Sequence, residues 1–317
     1  MLKPSSSTIS WVVFAGAALL LSLLLQDLYL RSVLNLIAIS ALLAVSLRFV
    51  MLMGELNFAI AAFVGIGAYT AGYLSTAMDI PFWVAIPIAG IVTGIVSAAF
   101  GAVTLRAKGP YFLLIGFAFT EAIRVTYSKV PALGGTSGMV GIFPPLVMDP
   151  WMPFLVMATV VVLLVVFFIM ERSDFGRVLF AIREKEEVAR SVGINTFVYK
   201  IVTIAFASFA AGIAGGLHAF VNNVISPGDF SYLMAAFALA YVKVGGEDHF
   251  AGPILGAIFL VSLSAYALGF GGDEHFIYGG AIVLVVLLMP KGAVGAVARM
   301  RLRKTDVKGG ANAALEQ

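Results

Sequence analysis

The sequence has no cysteine, only three histidines and few charges, with Asp, Glu, Lys and Arg making up 12% of its 317 residues. Without cysteine there are no disulfides, thiolate metal sites or cysteine nucleophiles. His218, His249 and His275 do not cluster at metal-ligand spacing, and no Ser/His/Asp arrangement stands out. Nothing here argues for an enzyme, so no catalytic, metal or cofactor residue is assigned. No G-x-x-x-x-G-K-[ST] loop occurs, so any ATP hydrolysis must come from another chain. A net charge of +3 is small and gives no case for a nucleic-acid partner. The scarcity of charge also excludes an ordinary soluble domain, in which about 25% of residues are charged.

What is present is apolar. Hydrophobic residues make up 61% of the chain, and the mean hydropathy is +1.02. The composition predicts an all-α integral membrane protein with lipid around it, because only helices and closed barrels satisfy the backbone within a bilayer. The candidate spans are Ile9–Leu25, Leu34–Met53, Asn57–Ala77, Pro81–Thr104, Tyr111–Tyr127, Trp151–Met170, Ile201–Val221, Tyr232–Gly245, Pro253–Phe270 and His275–Met289. A bilayer asks for roughly 20 residues per helix, so the fifth and eighth are short. The first run lacks a small-x-small cleavage site and is read as a retained span rather than a signal peptide. The expected organisation is a cytoplasmic N-terminus over 1–8, a helix bundle of about ten spans over 9–290, and a basic, disordered tail over 291–317.

One long polar stretch interrupts the apolar runs, Glu171 to Lys200. Lys and Arg concentrate on the cytoplasmic side of membrane proteins. With this stretch inside, the inner side collects seventeen of the 20 Lys and Arg and the outer side only Arg31, Arg124 and Lys129. Both termini then fall inside, and Asp27, Asp79, Asp149, Asp229, Asp273 and Glu274 fall at outer turns. Within the stretch, Phe175, Val178, Leu179 and Ile182 recur at helical spacing, and Asp174 is placed to cap the helix they define. A second helical piece, Glu184–Val192, stops at Gly193, and Asn195 caps the span that follows. A charged helix hung between two spans is suited to contact a cytoplasmic partner.

Elsewhere, Gly90/Gly94, Gly212/Gly216 and Gly252/Gly256 are GxxxG pairs, read as helix-packing sites. Gly109-Pro110 and Gly252-Pro253 open spans from the inner side. Glu121 and Arg124 share one face of the fifth span. Each alone costs about 2.5–3.5 kcal/mol near the bilayer centre, so they should face protein or a wet path. The pair reads either as part of a transport path near an outer gate or as an ion pair that locks the helix. Short or broken spans also point to a path, here the fifth and the eighth, the latter preceded by Ser226-Pro227-Gly228. Lys243 is read as snorkelling inward, and Arg48 and Glu55, at an inner end, as needing no special role.

The sequence resembles the branched-chain amino-acid ABC permeases of the LivM type from about Arg31 to Gly295. The matching stretches include Gly65-Ile66-Gly67-Ala68-Tyr69-Thr70, Gly109-Pro110-Tyr111-Phe112, and Gly116–Arg124 leading to Gly134-Gly135-x-x-Gly138. Others are Phe175-Gly176-Arg177 through Arg183, Val192-Gly193-Ile194-Asn195, Ala211–Gly216, Ser226-Pro227 and Gly252-Pro253-x-x-Gly256. Glu187-Val188-Ala189-x-x-x-Gly193 is similar to the family's E-A-A-x-x-x-G loop, with Val188 in place of an alanine. The resemblance implies a permease subunit in a bacterial inner membrane, working with a second permease subunit, two ATP-binding cassette subunits and a periplasmic or lipid-anchored solute-binding protein. Its cargo would be a small molecule, a branched-chain or related amino acid. The ATPase-coupling residues would be Asp174, Phe175, Gly176, Arg177, Arg183, Glu187, Ala189 and Gly193. The translocation path would hold Tyr69, Glu121, Arg124, Gly134 and Gly135. One departure stands out: Ala59-Ile60 replaces the family's Gly-His pair, which leaves other cargoes such as urea or short amides open. The competing class is an ion-coupled secondary transporter that acts alone.

Overall fold

The computed structural model describes residues 27–268 apart from 108, 146 and 147, together with the isolated positions 16, 19, 22, 279 and 280. Most of the predicted first span, most of the tenth and the whole 291–317 tail lie outside the described residues. The described chain is helical: α1 (Leu28–Met51), α2 (Ile60–Ala77), α3 (Phe82–Thr104), α4 (Pro110–Lys129), α5 (Met152–Arg172), α6 (Asp174–Ser191), α7 (Thr196–Asn222), α8 (Tyr232–Gly245) and α9 (Ala251–Leu268). Two residues of β1 (Met139–Val140) pair antiparallel with β2 (Val224–Ile225).

Among the described residues, α1, α2, α3, α5 and α7 are long and apolar enough to cross a membrane. α2, the shortest of these at 18 residues, reaches about 27 Å at 1.5 Å per residue, close to the hydrocarbon thickness. Helix α4 is 20 residues long and unbroken, so the fifth span is longer than its sequence window suggested. It starts at Pro110 because Gly109, at φ +59, turns the chain and proline fits the first helical position. The eighth span does remain short, 14 residues, and is entered through a 3₁₀ turn, Pro227–Phe230.

Helix α7 lies at the centre, packed chiefly against α3 and α2. Its small residues make this possible. A Cβ at Gly215 would collide with the Val64 carbonyl, and one at Gly67 with the Gly212 carbonyl. Without a hydrophobic drive between helices in lipid, such backbone contact supplies the association. A second tight seam, Gly245 and Gly256 against Gly252 and Tyr241, joins α8 to α9. Outer faces stay apolar and open, as with Trp83, Ile91, Ile95 and Val103 on α3 and Val162, Val165 and Ile169 on α5. Those faces suit lipid or another membrane subunit.

The contacts sort the connections into two ends. The 52–59 turn, α6 and the 246–250 turn meet at one end through ion pairs and a hydrogen bond to the Glu247 carbonyl, described below. The segment after α4 and the one after α7 meet at the other through β1 and β2. The chain is therefore a multi-pass helical membrane protein whose polar stretch sits at one end of the bundle.

Candidate functional site

At the first end the polar stretch is a built element. α5 closes where the Ser173 backbone N–H donates to Ile169 at 3.1 Å and its hydroxyl donates to Met170 at 2.7 Å. Ser173, not Asp174, occupies the N-cap position of α6, and Asp174 instead pairs with Arg177 on the exposed side. The apolar stripe turns inward: Leu179 and Ile182 are buried, and Phe175 stacks on Phe49 at 6.3 Å and leans on Tyr199 at 5.2 Å. Gly176 allows α6 to leave α5 so sharply, because a Cβ there would collide with the Glu171 carbonyl.

Lys185, at φ −152 and ψ 94, breaks α6 into the two helical pieces that the sequence indicates. The second piece ends with Ile194 N–H donating to Ala189 and Gly193 N–H to Arg190, at 3.2 and 3.0 Å, with Gly193 at φ +87. This is the pair of hydrogen bonds that a left-handed glycine stop provides. Asn195 then caps α7 by accepting from the Val198 N–H at 3.3 Å. Of the residues assigned to coupling, Arg183 and Glu187 are exposed, whereas Gly176 and Ala189 are buried. The face α6 offers outward is apolar in part: Phe180, Val188 and Val192 are all exposed, Val192 at 71%.

Beneath α6 lies a set of buried charges whose pairing the sequence does not display. Arg48 is 2% exposed and grips Glu171 with its two terminal guanidinium nitrogens, at 2.6 and 2.9 Å, while its Nε donates to the Glu247 carbonyl at 2.7 Å. Lys200 Nζ lies 3.2 Å from Glu55 and 3.1 Å from Glu186. Glu186 also accepts from Arg190 at 2.6 Å, and Arg190 donates to the Thr196 hydroxyl at 2.9 Å. Arg48 and Glu55, which seemed to need no role, are thus anchors of the polar stretch. Each cluster balances its charges, which offsets the penalty of burying them. Lys243 pairs with Glu247 at 2.6 Å and stays half exposed at the end of α8.

Toward the other end, Tyr69 of α2 and Tyr127 of α4 stack with centroids 4.1 Å apart, and Phe230 meets Tyr69 edge-on at 5.9 Å. Both tyrosine hydroxyls are buried without a hydrogen-bond partner. Arg124 Nε lies 2.7 Å from Glu121 Oε2, and the second Glu121 oxygen is buried and unpartnered. The pair is only partly covered, so α4 presents it at the edge of the described bundle. Tyr127 joins Tyr69 here, although only a helical-wheel reading through Arg124 would have flagged it. Gly134 and Gly135 are turn residues, at φ +81 and +58, in the loop that folds back on α4. A cavity of about 390 Å³ lies alongside, lined by Ser40, His218, Asp229, Tyr241 and apolar residues of α1 and α8. Asp229 is fixed in it by the Ser226 backbone N–H at 2.8 Å and the Ser226 hydroxyl at 3.0 Å.

Comparison with known proteins matches residues 29–289 to the family model for the branched-chain amino acid transport system permease component. The chain is 27% identical to the high-affinity branched-chain amino acid transport system permease protein LivM of Salmonella typhimurium, over 81% of this chain and 68% of that one. It is 28% identical to the LivM of Escherichia coli over the same shares. A more distant relative is the ribose import permease protein RbsC of Haemophilus influenzae, 22% identical over 70% of this chain and 72% of that one.

Proposed function

Because the chain belongs to the branched-chain amino acid transport permease family, we propose that it is the permease subunit of an ABC importer for branched-chain or related amino acids. It is a transport permease and not an enzyme, so the energy for movement comes from ATP hydrolysed on separate subunits. The observation that carries the reading is α6. A kinked helix, closed by a glycine stop, anchored below by a buried ion pair through Glu186 and apolar in part above, is built to be pushed by a partner.

The partners in this reading are two ATP-binding cassette subunits seated on α6, a second permease subunit, and a periplasmic or lipid-anchored binding protein docked on the loops after α4 and α7. The membrane is the bacterial inner membrane, about ten spans cross it, and both termini are cytoplasmic. Asp174, Phe175, Gly176, Arg177, Arg183, Glu187, Ala189 and Gly193 shape the ATPase contact. Phe175, Gly176, Ala189 and Gly193 do so by holding α6 in form, and Phe180, Val188 and Val192 supply the exposed apolar surface.

Tyr69, Tyr127, Glu121 and Arg124 line the path, with Gly134 and Gly135 holding the loop over its outer end. A zwitterionic amino acid carries one charge of each sign, and Glu121 and Arg124 offer the complement of both at the edge of α4. The binding protein supplies affinity, so these contacts need only guide the solute through. An ion-coupled carrier acting alone would use the same pair but has no use for α6.

The test is ATP hydrolysis by the complex that co-purifies with the tagged chain in mild detergent. Hydrolysis should rise when the binding protein and leucine, isoleucine or valine are added. Hydrolysis that ignores these amino acids but answers to another small solute would change the cargo. A chain that purifies alone, without ATPase activity, would overturn the importer reading.

A further inference from the structure

The turn between α1 and α2 touches both the candidate ATPase contact and the candidate path. It is largely buried and internally hydrogen-bonded although it is not helical. Gly54 takes φ +87, Asn57 is buried with its side chain accepting from the Ala59 N–H at 3.0 Å, and Glu55 is buried. On one side Gly54 lies against Arg183 of α6, where a Cβ would be 3.4 Å from the Arg183 side chain. On the other side the Thr120 hydroxyl of α4 donates to the Phe58 carbonyl at 3.0 Å. A Cβ at Gly116, one turn earlier on α4, would stand 2.9 Å from the Ala59 nitrogen. Thr120 precedes Glu121 directly.

Lys200 joins this turn to the second piece of α6. Its ammonium is shared between Glu55 at 3.2 Å and Glu186 at 3.1 Å. Both distances are longer than the 2.7–2.9 Å of a close charge-assisted bond. The other Glu55 oxygen is buried with no partner. One ammonium thus serves two carboxylates, and one of those carboxylates keeps a free acceptor. The structure holds the shared arrangement, and the spare Glu55 oxygen gives Lys200 a place to go if α6 carries Glu186 away.

We propose that Lys200, bridging Glu55 and Glu186, is the positioning residue that carries movement of α6 through the 54–59 turn to α4. It rests on the reading of α6 as the ATPase contact. When the partner displaces the Glu186 piece, Lys200 draws Glu55 with it or releases it. The turn then moves as a body and shifts α4 through Thr120 and Gly116, and Glu121 and Arg124 move with the helix. Contiguity alone does not make a route. Coupling requires an element with two states, and in this proposal the shared ammonium is that element.

The experiment uses the complete complex in lipid nanodiscs, with single cysteines introduced at Val125 of α4 and Val162 of α5 for spin labels, which the cysteine-free chain allows. In the otherwise unaltered complex the distance between the labels should change on trapping with ATP and vanadate. Glu55→Gln, and Lys200→Met combined with Glu55→Gln so that no buried carboxylate is left without a cation, should leave ATP hydrolysis within about twofold while cutting the fraction of label pairs that shift by about fivefold or more, the scale of an ordinary coupling between sites. Lys200→Arg, which keeps the charge, should retain the shift, and Thr120→Val, at the far end of the link, should lose it. Variants that hydrolyse ATP and shift as fully as the parent would overturn the proposal, and so would loss of hydrolysis in step with the shift. A parent complex with no ATP hydrolysis would instead overturn the reading of α6.

Discussion

Removing one partner of the Arg48–Glu171 pair leaves a charge at the membrane boundary with nothing to neutralise it. Breaking a buried pair this way costs about 3 kcal/mol or more, whereas replacing both partners with apolar side chains costs far less. Arg48→Met should therefore lower the thermal midpoint of the detergent-solubilised protein by several degrees, and Arg48→Met with Glu171→Met should recover most of it. A double variant as unstable as the single one would mean the pair is not what holds the two helix ends. None of this is legible in sequence, because residues 48 and 171 are far apart along the chain and either could have snorkelled to water. Glycines behave in a similar way. The GxxxG spacings mark packing faces but not which position is tightest. Gly67 faces the Gly212 carbonyl directly, while Gly94 has only ordinary contacts at 3.5 Å. Gly67→Ala should sharply reduce folded, membrane-inserted protein, and Gly94→Ala should leave the yield close to the parent's when both are followed by size-exclusion chromatography.

At the scale of one element, α6 shows what periodicity can and cannot deliver. Its apolar stripe, its division near Lys185, its glycine stop and the Asn195 cap all follow from residue types whose local chemistry decides the outcome. Asp174 as cap does not follow, because Ser173 already holds that position and a carboxylate one residue on finds Arg177 instead. Nor does spacing say which side of the second piece is hidden. Ala189 sits within the Glu-x-Ala pattern yet is 3% exposed, while Val188 beside it is 56% exposed. The two positions separate docking from folding. Val188→Arg should leave the chain folded and inserted but abolish co-purification of the ATPase subunits, because a charge lands in an apolar contact that must be desolvated. Ala189→Arg should instead destabilise the chain itself, since the guanidinium has no room against the bundle. Equal ATPase retention by Val188→Arg and the parent would remove Val188 and its neighbours from the contact.

For the whole molecule, the arrangement of helices around α7 turns local contacts into a statement about sides. Lys200 ties the 52–59 turn to α6, Arg48 ties the end of α1 to Glu171 of α5 and to the 246–250 turn, and β1 ties the segment after α4 to that after α7 at the opposite end. Hydropathy found the spans but treated each as independent, whereas these cross-ties require an even alternation of helices between the two ends. The excess of Lys and Arg points to the α6 end as the cytoplasmic one, because seventeen of the 20 belong to segments that the ten-span reading assigns to that side. Since the chain has no cysteine, single introduced cysteines report the sides directly. Val140→Cys, on β1 and 67% exposed, should react with a membrane-impermeant maleimide added to cells whose outer barrier has been made permeable. Val192→Cys, at the end of α6 and as open, should react only after the inner membrane is breached. The reverse pattern would invert the bundle and place α6 where no ATPase could reach it, and labelling of both from outside would break the alternation that the cross-ties demand.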